Sequence, residues 1–355
     1  MKALYILEPG KVEIRDIPMP VRKKGEALLK VLSVGICGSD LGSYRGTFAY
    51  FEYPRIPGHE FSAEIIEIDD NDEGFKPGMI VTADPYFNCG SCYSCTHGRV
   101  NACMDNKTMG CQMDGAFCEY IVMPIERLVD GRGLDQNSLA AVEPFCIGYH
   151  GALRAKVQKG DKVLVIGCGT IGVMAALSAK AMGAEVYVSD VIEEKLKENV
   201  EKFGFDGMIL NSSPEAFMEG VKRITGETES NGKKQINGFD VTIEAVGNPF
   251  TFQAAIDAVG FGGRVCLVGV SKKNLDFNFT LIQKKEIDIY GSRNAMKQDF
   301  IDLVDIVKSG KVDVGKVITN VYDFEHAADA FKDFSENKSG DMLKVMVRLA
   351  EPEKG

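Results

Sequence analysis

The sequence has no tryptophan and only four histidines, His59, His97, His150 and His326. The first absence removes tryptophan quenching as a way to follow ligand binding. The second confines imidazole chemistry to four positions. No basic stretch offsets the formal net charge of -10, which argues against a nucleic-acid or anionic-membrane partner. The longest uncharged stretch, Val163–Ala179, is seventeen residues and is broken by three glycines. It reads as a buried strand, turn and helix rather than a membrane span. The opening "MKALYILEPGKVEIRDI" lacks a secretory pattern, so a reducing cytoplasm is expected, where the ten cysteines stay out of disulfides. There is no internal repeat. What remains is a chain of 355 residues, 45% hydrophobic and 26% charged, a globular composition with room for two domains.

Cysteine is clustered. "NCGSCYSCTHGRVNAC" places Cys89, Cys92, Cys95 and Cys103 in a C-x2-C-x2-C-x7-C pattern. Thiolates at this spacing, with Gly90, Ser91 and Ser94 to make tight turns, can converge on one tetrahedral zinc. An iron–sulfur cluster is the rival, although ferredoxin-type spacing differs in its last interval. Four thiolates would close the coordination sphere, so this lobe (about residues 85–110) is expected to be structural. Any chemistry must lie elsewhere.

A second set of donors is dispersed. "GICGSD" (35–40) and "PGHEFSAE" (57–64) offer Cys37, His59 and Glu60 on turn-forming backgrounds. Together they could hold a zinc that keeps a position open.

From Lys162 the pattern changes. "KVLVIGCGTIG" is an apolar strand running into Gly167, Gly169 and Gly172, followed by a helical pattern and a second strand, "EVYVSD", ending in Asp190. Such glycines permit a tight turn, close approach to a pyrophosphate and close helix–strand packing. The helix N-terminus then faces the phosphates. Asp190 suits a ribose with free hydroxyls, and Val191 and Ile192 follow it where arginine would suit a 2'-phosphate, so NAD is favoured over NADP. Further strand-like runs at 207–211, 239–245, 264–270 and 286–290 bring the total to six, the number of a doubly wound sheet. The polar stretch "TGETESNGKKQING" (225–238) reads as a surface loop.

In order along nearly the whole chain, "GICGSD", "YPRIPGHEFSAE", the four-cysteine lobe and "VEPF" (142–145) resemble the zinc-dependent medium-chain alcohol and polyol dehydrogenases. "RGTFAYFEYPRIPGHE" (45–60) and "GSRNA" (291–295) are similar to the sorbitol-dehydrogenase-like branch, particularly bacterial L-galactonate and L-gulonate 5-dehydrogenases. The resemblance implies an α/β fold: a six-stranded Rossmann domain, residues 146–290, and a discontinuous, mainly β GroES-like domain, residues 1–145 and 291–355. Catalysis would occur in the cleft between them.

Carried over by position, Cys37, His59, Glu60 and Glu143 are the expected catalytic zinc ligands. Which carboxylate binds directly is open, and Cys146 is a rival donor. Asp40 would orient the imidazole, and Ser39 would bond the substrate oxygen and pass its proton outward. Many relatives continue that relay with a histidine where this chain has Gly42, so ribose, water or Tyr44 would have to serve. The expected cofactor contacts are Gly167, Gly169, Thr170, Ile171, Gly172, Asp190, Lys195, Val246, Val268 and Arg293. Arg293 could instead grip a substrate carboxylate; Arg45 and Arg55 are further candidates, and Tyr44, Phe48 and Phe51 could wall the substrate.

The function implied is hydride transfer between NAD and a secondary alcohol of a sugar acid, with two zinc ions per chain in a homodimer or homotetramer. A polyol or L-threonine dehydrogenase is the alternative. A non-catalytic zinc- and nucleotide-binding module is a second, distinct one.

Overall fold

"EALLKVLSVGI", Glu26–Ile36, is an eleven-residue strand buried along nearly its whole length. A strand hidden on both faces must be covered on both and paired on both edges. In the computed structural model, which describes residues 1–352, it pairs antiparallel with Glu60–Glu67, Tyr120–Pro124 and Lys344–Arg348. The resulting seven-stranded sheet is completed by Ile80–Ala83, Leu128–Asp130 and Ile318–Asp323. Its register decides the chemistry: Gly35 faces Glu60 on one side, and Ile36 faces Val345 on the other. One end of the central strand therefore gathers Cys37, Glu60 and Lys344.

This sheet belongs to a unit built from Met1–Pro144 and the segment from Asn294 onward. The returning segment is anchored by the helix Ala327–Glu336. Its Phe331 is fully buried, with ring centroids 5.9 Å from Tyr44 and 5.5 Å from Phe117, and Arg45 donates hydrogen bonds to Ser335.

The second unit, Phe145–Arg293, holds a parallel six-stranded sheet. Its spatial order is Gly207–Leu210, Glu185–Asp190, Lys162–Ile166, Phe239–Glu244, Val259–Leu267 and Asp288–Gly291. This is the doubly wound order, and its direction reverses between Lys162–Ile166 and Phe239–Glu244, where such sheets bind ligands beyond their carboxyl ends. Val163 to Ile166 are buried without alternation, as expected of a parallel strand covered on both faces. The fifth strand starts earlier than its apolar run suggests, because the glycine-rich 259–263 segment extends the pairing through an irregularity in register.

Residues 225–238 correct the sequence reading. They are not a plain loop but an exposed antiparallel hairpin, Glu227–Ser230 with Lys233–Ile236. Asn231 and Gly232 both take positive φ, 51° and 69°, the requirement of a type I′ turn. No helix among the described residues is long and apolar enough to cross a membrane.

Replacing Phe331 by Ala removes the ring that packs on both Phe117 and Tyr44. We expect a loss of about 3–5 kcal/mol, read as a lowered denaturant midpoint by far-ultraviolet circular dichroism.

Candidate active site and metal centres

Cys37 precedes the short helix Gly38–Tyr44, and His59 immediately precedes the strand Glu60–Glu67. Asp40 joins these two segments. Its fully buried carboxylate accepts the Cys37 N–H at 2.9 Å and the Gly58 N–H at 3.3 Å. The sequence reading had it orient the imidazole; the hydrogen bonds go instead to the backbone on either side of the site. His59 Nδ1 is buried without a partner. Donor atoms of Cys37, His59 and Glu60 lie within 4.8 Å of one another. A soft thiol, an imidazole with an unmet ring nitrogen and a carboxylate in one pocket form a donor set that fits zinc.

Glu60 reaches that pocket because Gly35 has no side chain: a Cβ there would stand 2.2 Å from Glu60 Oε2. Both Glu60 oxygens accept from Lys344 Nζ, at 2.6 and 2.8 Å, and the ammonium also donates to the Ile36 carbonyl at 3.1 Å. The pair is 0% and 2% exposed. Lys344 was missed at the sequence level. The available signal was a lysine inside the apolar run "MLKVMV", since a buried lysine requires a partner.

Glu143, in the first turn of the helix Val142–Arg154, stands outside the tight donor set but close enough to feel His59, Glu60 and Lys344. Burial raises its carboxyl to about 7, with Glu60 adding to the rise and His59, Tyr86 and Lys344 opposing it. The Tyr86 hydroxyl donates to its Oε1. Tyr86 is a second residue missed at the sequence level, here with no local signal, and it is itself fixed: Asp84 accepts its N–H at 2.9 Å and Arg127 donates to its carbonyl at 2.8 Å. Cys146 is not among the clustered donors.

Burial raises the Cys37 thiol against the pull of His59. Burial works against charge on His59, yet Cys37, Cys111 and Asp40 carry its pKa well above the usual value. On Lys344 burial is likewise outweighed, here by Glu60 and Cys37, and the pKa is raised.

Ser39 sits two residues beyond Cys37, and its buried hydroxyl has no hydrogen-bond partner. A Cβ at Gly42 would lie 3.2 Å from Phe48 Cβ, so the relay position offers little space as well as no side chain. Tyr44 packs on Phe331 in the apolar core. Arg45 is committed to Ser335, Arg55 pairs with Glu52, and Phe51 stacks edge-on against Tyr53. Tyr44, Arg45 and Phe51 are thus accounted for by packing and local bonding, whereas Arg55 Nε is buried without a hydrogen-bond partner.

In the four-cysteine lobe, Cys92 lies 3.5 Å from Cys95 and 3.9 Å from Cys103, and Cys103 lies 3.5 Å from Cys89, sulfur to sulfur. Zinc–sulfur bonds of about 2.3 Å in a tetrahedron place sulfurs about 3.8 Å apart. The spacing fits one ion. It is too short for thiolates that each bind a different iron of a cluster, and all four cysteines are free of disulfides.

In the other unit, Gly167 takes φ of +102°, and a Cβ on Gly172 would fall 1.8 Å from the Gly167 carbonyl oxygen. The helix Thr170–Ala181 thus packs directly on the loop. Asp190 accepts the Cys168 N–H at 2.8 Å and Lys195 Nζ at 3.2 Å through Oδ2, and the Val191 N–H at 2.7 Å through Oδ1. Burial would raise its pKa, but these partners hold it below the ordinary range. Beside it opens a cavity of about 540 Å³ lined by Gly167, Asp190, Val191, Val246, Asn248 and Thr251 among others. Its size and its carboxylate suit the adenosine half of a dinucleotide. Val268 donates its N–H to the Glu244 carbonyl, and Arg293 is the exposed last residue of this unit.

Residues 23–132 match the family described as the alcohol dehydrogenase GroES-like domain, and residues 170–309 match the zinc-binding dehydrogenase family. L-galactonate-5-dehydrogenase of Escherichia coli strain K12 is 32% identical over 94% of this chain and 94% of its own length. The chain belongs to the zinc-type medium-chain alcohol and polyol dehydrogenases. Sorbitol dehydrogenase of Bacillus subtilis strain 168 is 34% identical to this dehydrogenase over 98% of the chain and 97% of its own. An alcohol dehydrogenase from E. coli CFT073, solved with NADH, superposes with a TM-score of 0.88 at 29% identity, covering 98% of this chain and 99% of that one. The protein is accordingly an oxidoreductase acting on CH–OH groups.

Two outcomes test the metal centre. Lys344→Met leaves Glu60 buried without its cation, which costs about 3–5 kcal/mol; the loss should be larger in metal-free than in zinc-loaded protein, measured by paired denaturation curves. In metal-free protein Glu143 is protonated up to about pH 7. Because its pKa is raised, its contribution to stability is complete below the unfolded carboxyl value and is lost as pH rises through about 7. Zinc competes with this proton and with those on Cys37 and His59, so zinc uptake should strengthen as pH rises through neutrality. A chromogenic chelator titration would show it, and Tyr86→Phe should move the midpoint upward.

Proposed function

We propose that the protein is an NAD-dependent dehydrogenase with two zinc ions, oxidising a secondary alcohol of a sugar acid such as L-galactonate or L-gulonate. The observation that carries the reading is the buried, unpartnered Ser39 hydroxyl in the loop that presents Cys37. Cys37 and His59, with Glu60 or Glu143, would hold one zinc; Cys89, Cys92, Cys95 and Cys103 would hold the other and stiffen their lobe. When bound, zinc at the first site would supply Lewis acidity toward an alcohol oxygen, and a nicotinamide would supply the hydride acceptor.

The chain's own groups do the rest. Ser39 Oγ would accept the alcohol proton while releasing its own, and with no side chain at Gly42 to continue the relay that proton would pass to solvent. Asp40 holds the Cys37 and His59 segments in register, so the donors are placed before substrate arrives. Asp190 and Lys195 face the adenosine ribose, and the carboxylate, with Val191 and Ile192 after it, disfavours a 2'-phosphate. Arg293, the last residue of the nucleotide unit, is the guanidinium assigned to the substrate carboxylate. The name of the E. coli relative supports an aldonate. The B. subtilis relative supports a polyol as the second reading.

The test is NADH formation by zinc-loaded protein with L-galactonate and L-gulonate beside sorbitol, L-threonine and 2-butanol. Sugar acids should be preferred, and Arg293→Ala should lower kcat/KM for them by about 30- to 100-fold, the worth of a charge-assisted pair. Ser39→Ala should lower kcat by about 100-fold or more with bound zinc unchanged. Better turnover of sorbitol would establish the polyol reading instead.

A further inference from the structure

Glu244 ends the strand Phe239–Glu244 and is only 2% exposed. Its Oε1 accepts three hydrogen bonds: from the Val246 N–H at 2.9 Å, the Gly247 N–H at 2.8 Å and the Thr251 hydroxyl at 2.7 Å. Its main-chain carbonyl accepts two more, from the N–H groups of Val268 at 2.9 Å and Gly269 at 3.0 Å. One residue thus holds two turns, 245–248 and 268–270, at the carboxyl edge of the parallel sheet.

The two turns meet backbone to backbone. Gly247 takes φ of +80°, and a Cβ on it would lie 2.3 Å from the Val270 carbonyl oxygen. A Cβ on Gly269 would lie 2.1 Å from Gly247 N and 2.6 Å from Glu244 Oε2. No side chain fits between them, and the carboxylate is the polar group that meets the partly buried N–H donors there. The first turn also walls the nucleotide cavity. Val246, Asn248 and Thr251 line it together with Gly167 and Asp190, and Val246 Cγ2 would be 2.6 Å from a Cβ on Gly167.

We propose that Glu244 is a positioning residue of the nucleotide site: its carboxylate fixes the 245–248 turn against the glycine-rich loop and so sets the width of the adenosine pocket. This rests on reading that cavity as the dinucleotide site. A carboxylate binds N–H and O–H donors about twice as strongly as a neutral oxygen. Neutralising it at constant shape therefore loosens the turn without emptying the space.

The experiment uses the full-length zinc-loaded protein, with Glu244→Gln and Thr251→Val. NADH and AMP binding are measured by calorimetry, beside KM for NAD, KM for the alcohol, bound zinc and the melting temperature. Glu244→Gln should weaken both NADH and AMP by about tenfold and raise KM for NAD by a similar factor. Thr251→Val should act in the same direction by about threefold. KM for the alcohol and zinc content should not move. A lower melting temperature with unchanged AMP and NADH affinity would mean a merely structural carboxylate and overturn the proposal. Failure of the unsubstituted protein to bind either nucleotide would sink the nucleotide reading, and this proposal with it.

Discussion

A single buried ion pair organises the metal-binding unit. Lys344 and Glu60 are 284 positions apart, yet the ammonium spans both carboxylate oxygens with no solvent between them. Neither charge could remain in an apolar interior alone; the desolvation cost is offset only because each meets the other and Lys344 also meets the Ile36 carbonyl. The pair ties the returning strand to the strand that begins with Glu60, across the end of the strand between them. Cys37 stands at that end. The donor set is therefore held by a charge arrangement in the sheet as well as by its loops.

Asp40 performs the complementary task at shorter range. Its two oxygens are satisfied by backbone N–H groups of the Cys37 and Gly58 segments, so its negative charge reaches the imidazole through space rather than through a bond. Asp190 has the same design in the other unit. Its carboxylate holds the glycine-rich loop through Cys168 and pairs with Lys195 beside the cavity. In both places a carboxylate, buried at Asp40 and partly buried at Asp190, shapes a backbone turn and sets the local field at once, which is economical when the site must be rigid before a ligand binds.

The parts legible in the sequence were those carried by local pattern. The C-x2-C-x2-C-x7-C spacing foretold a cluster of sulfurs of single-ion size, and the strand–glycine–helix motif foretold the parallel sheet and its loop. The paired "GICGSD" and "PGHE" segments foretold three donors that the fold does bring together. The illegible parts depend on register between distant strands. Lys344 is opposite Glu60 only because Val345 faces Ile36 while Glu60 faces Gly35, and no local pattern encodes that coincidence. Tyr86 is similar: its hydroxyl finds Glu143 through tertiary packing. The hairpin at 227–236 was legible in principle, since "SNGK" carries a type I′ signal, but the charge of its flanks masked strands that bury almost nothing. Tyr44 meets Phe331 and Phe51 meets Tyr53, contacts no local pattern encodes, since aromatics beside a site are chemically indistinguishable from aromatics beneath it.

The discontinuity of the metal-binding unit imposes an order on biosynthesis. The nucleotide unit is contiguous and is fully synthesised once Arg293 has left the ribosome, and domains generally fold as units during synthesis. The four-cysteine lobe is translated earlier still. The Glu60 carboxylate, by contrast, has no cation to neutralise it until residue 344 emerges, and the sheet around it lacks an inner strand until then. On a translating ribosome the nucleotide fold therefore precedes completion of the metal-binding sheet, which waits, open at one edge, for a strand encoded more than three hundred codons after the one it pairs with.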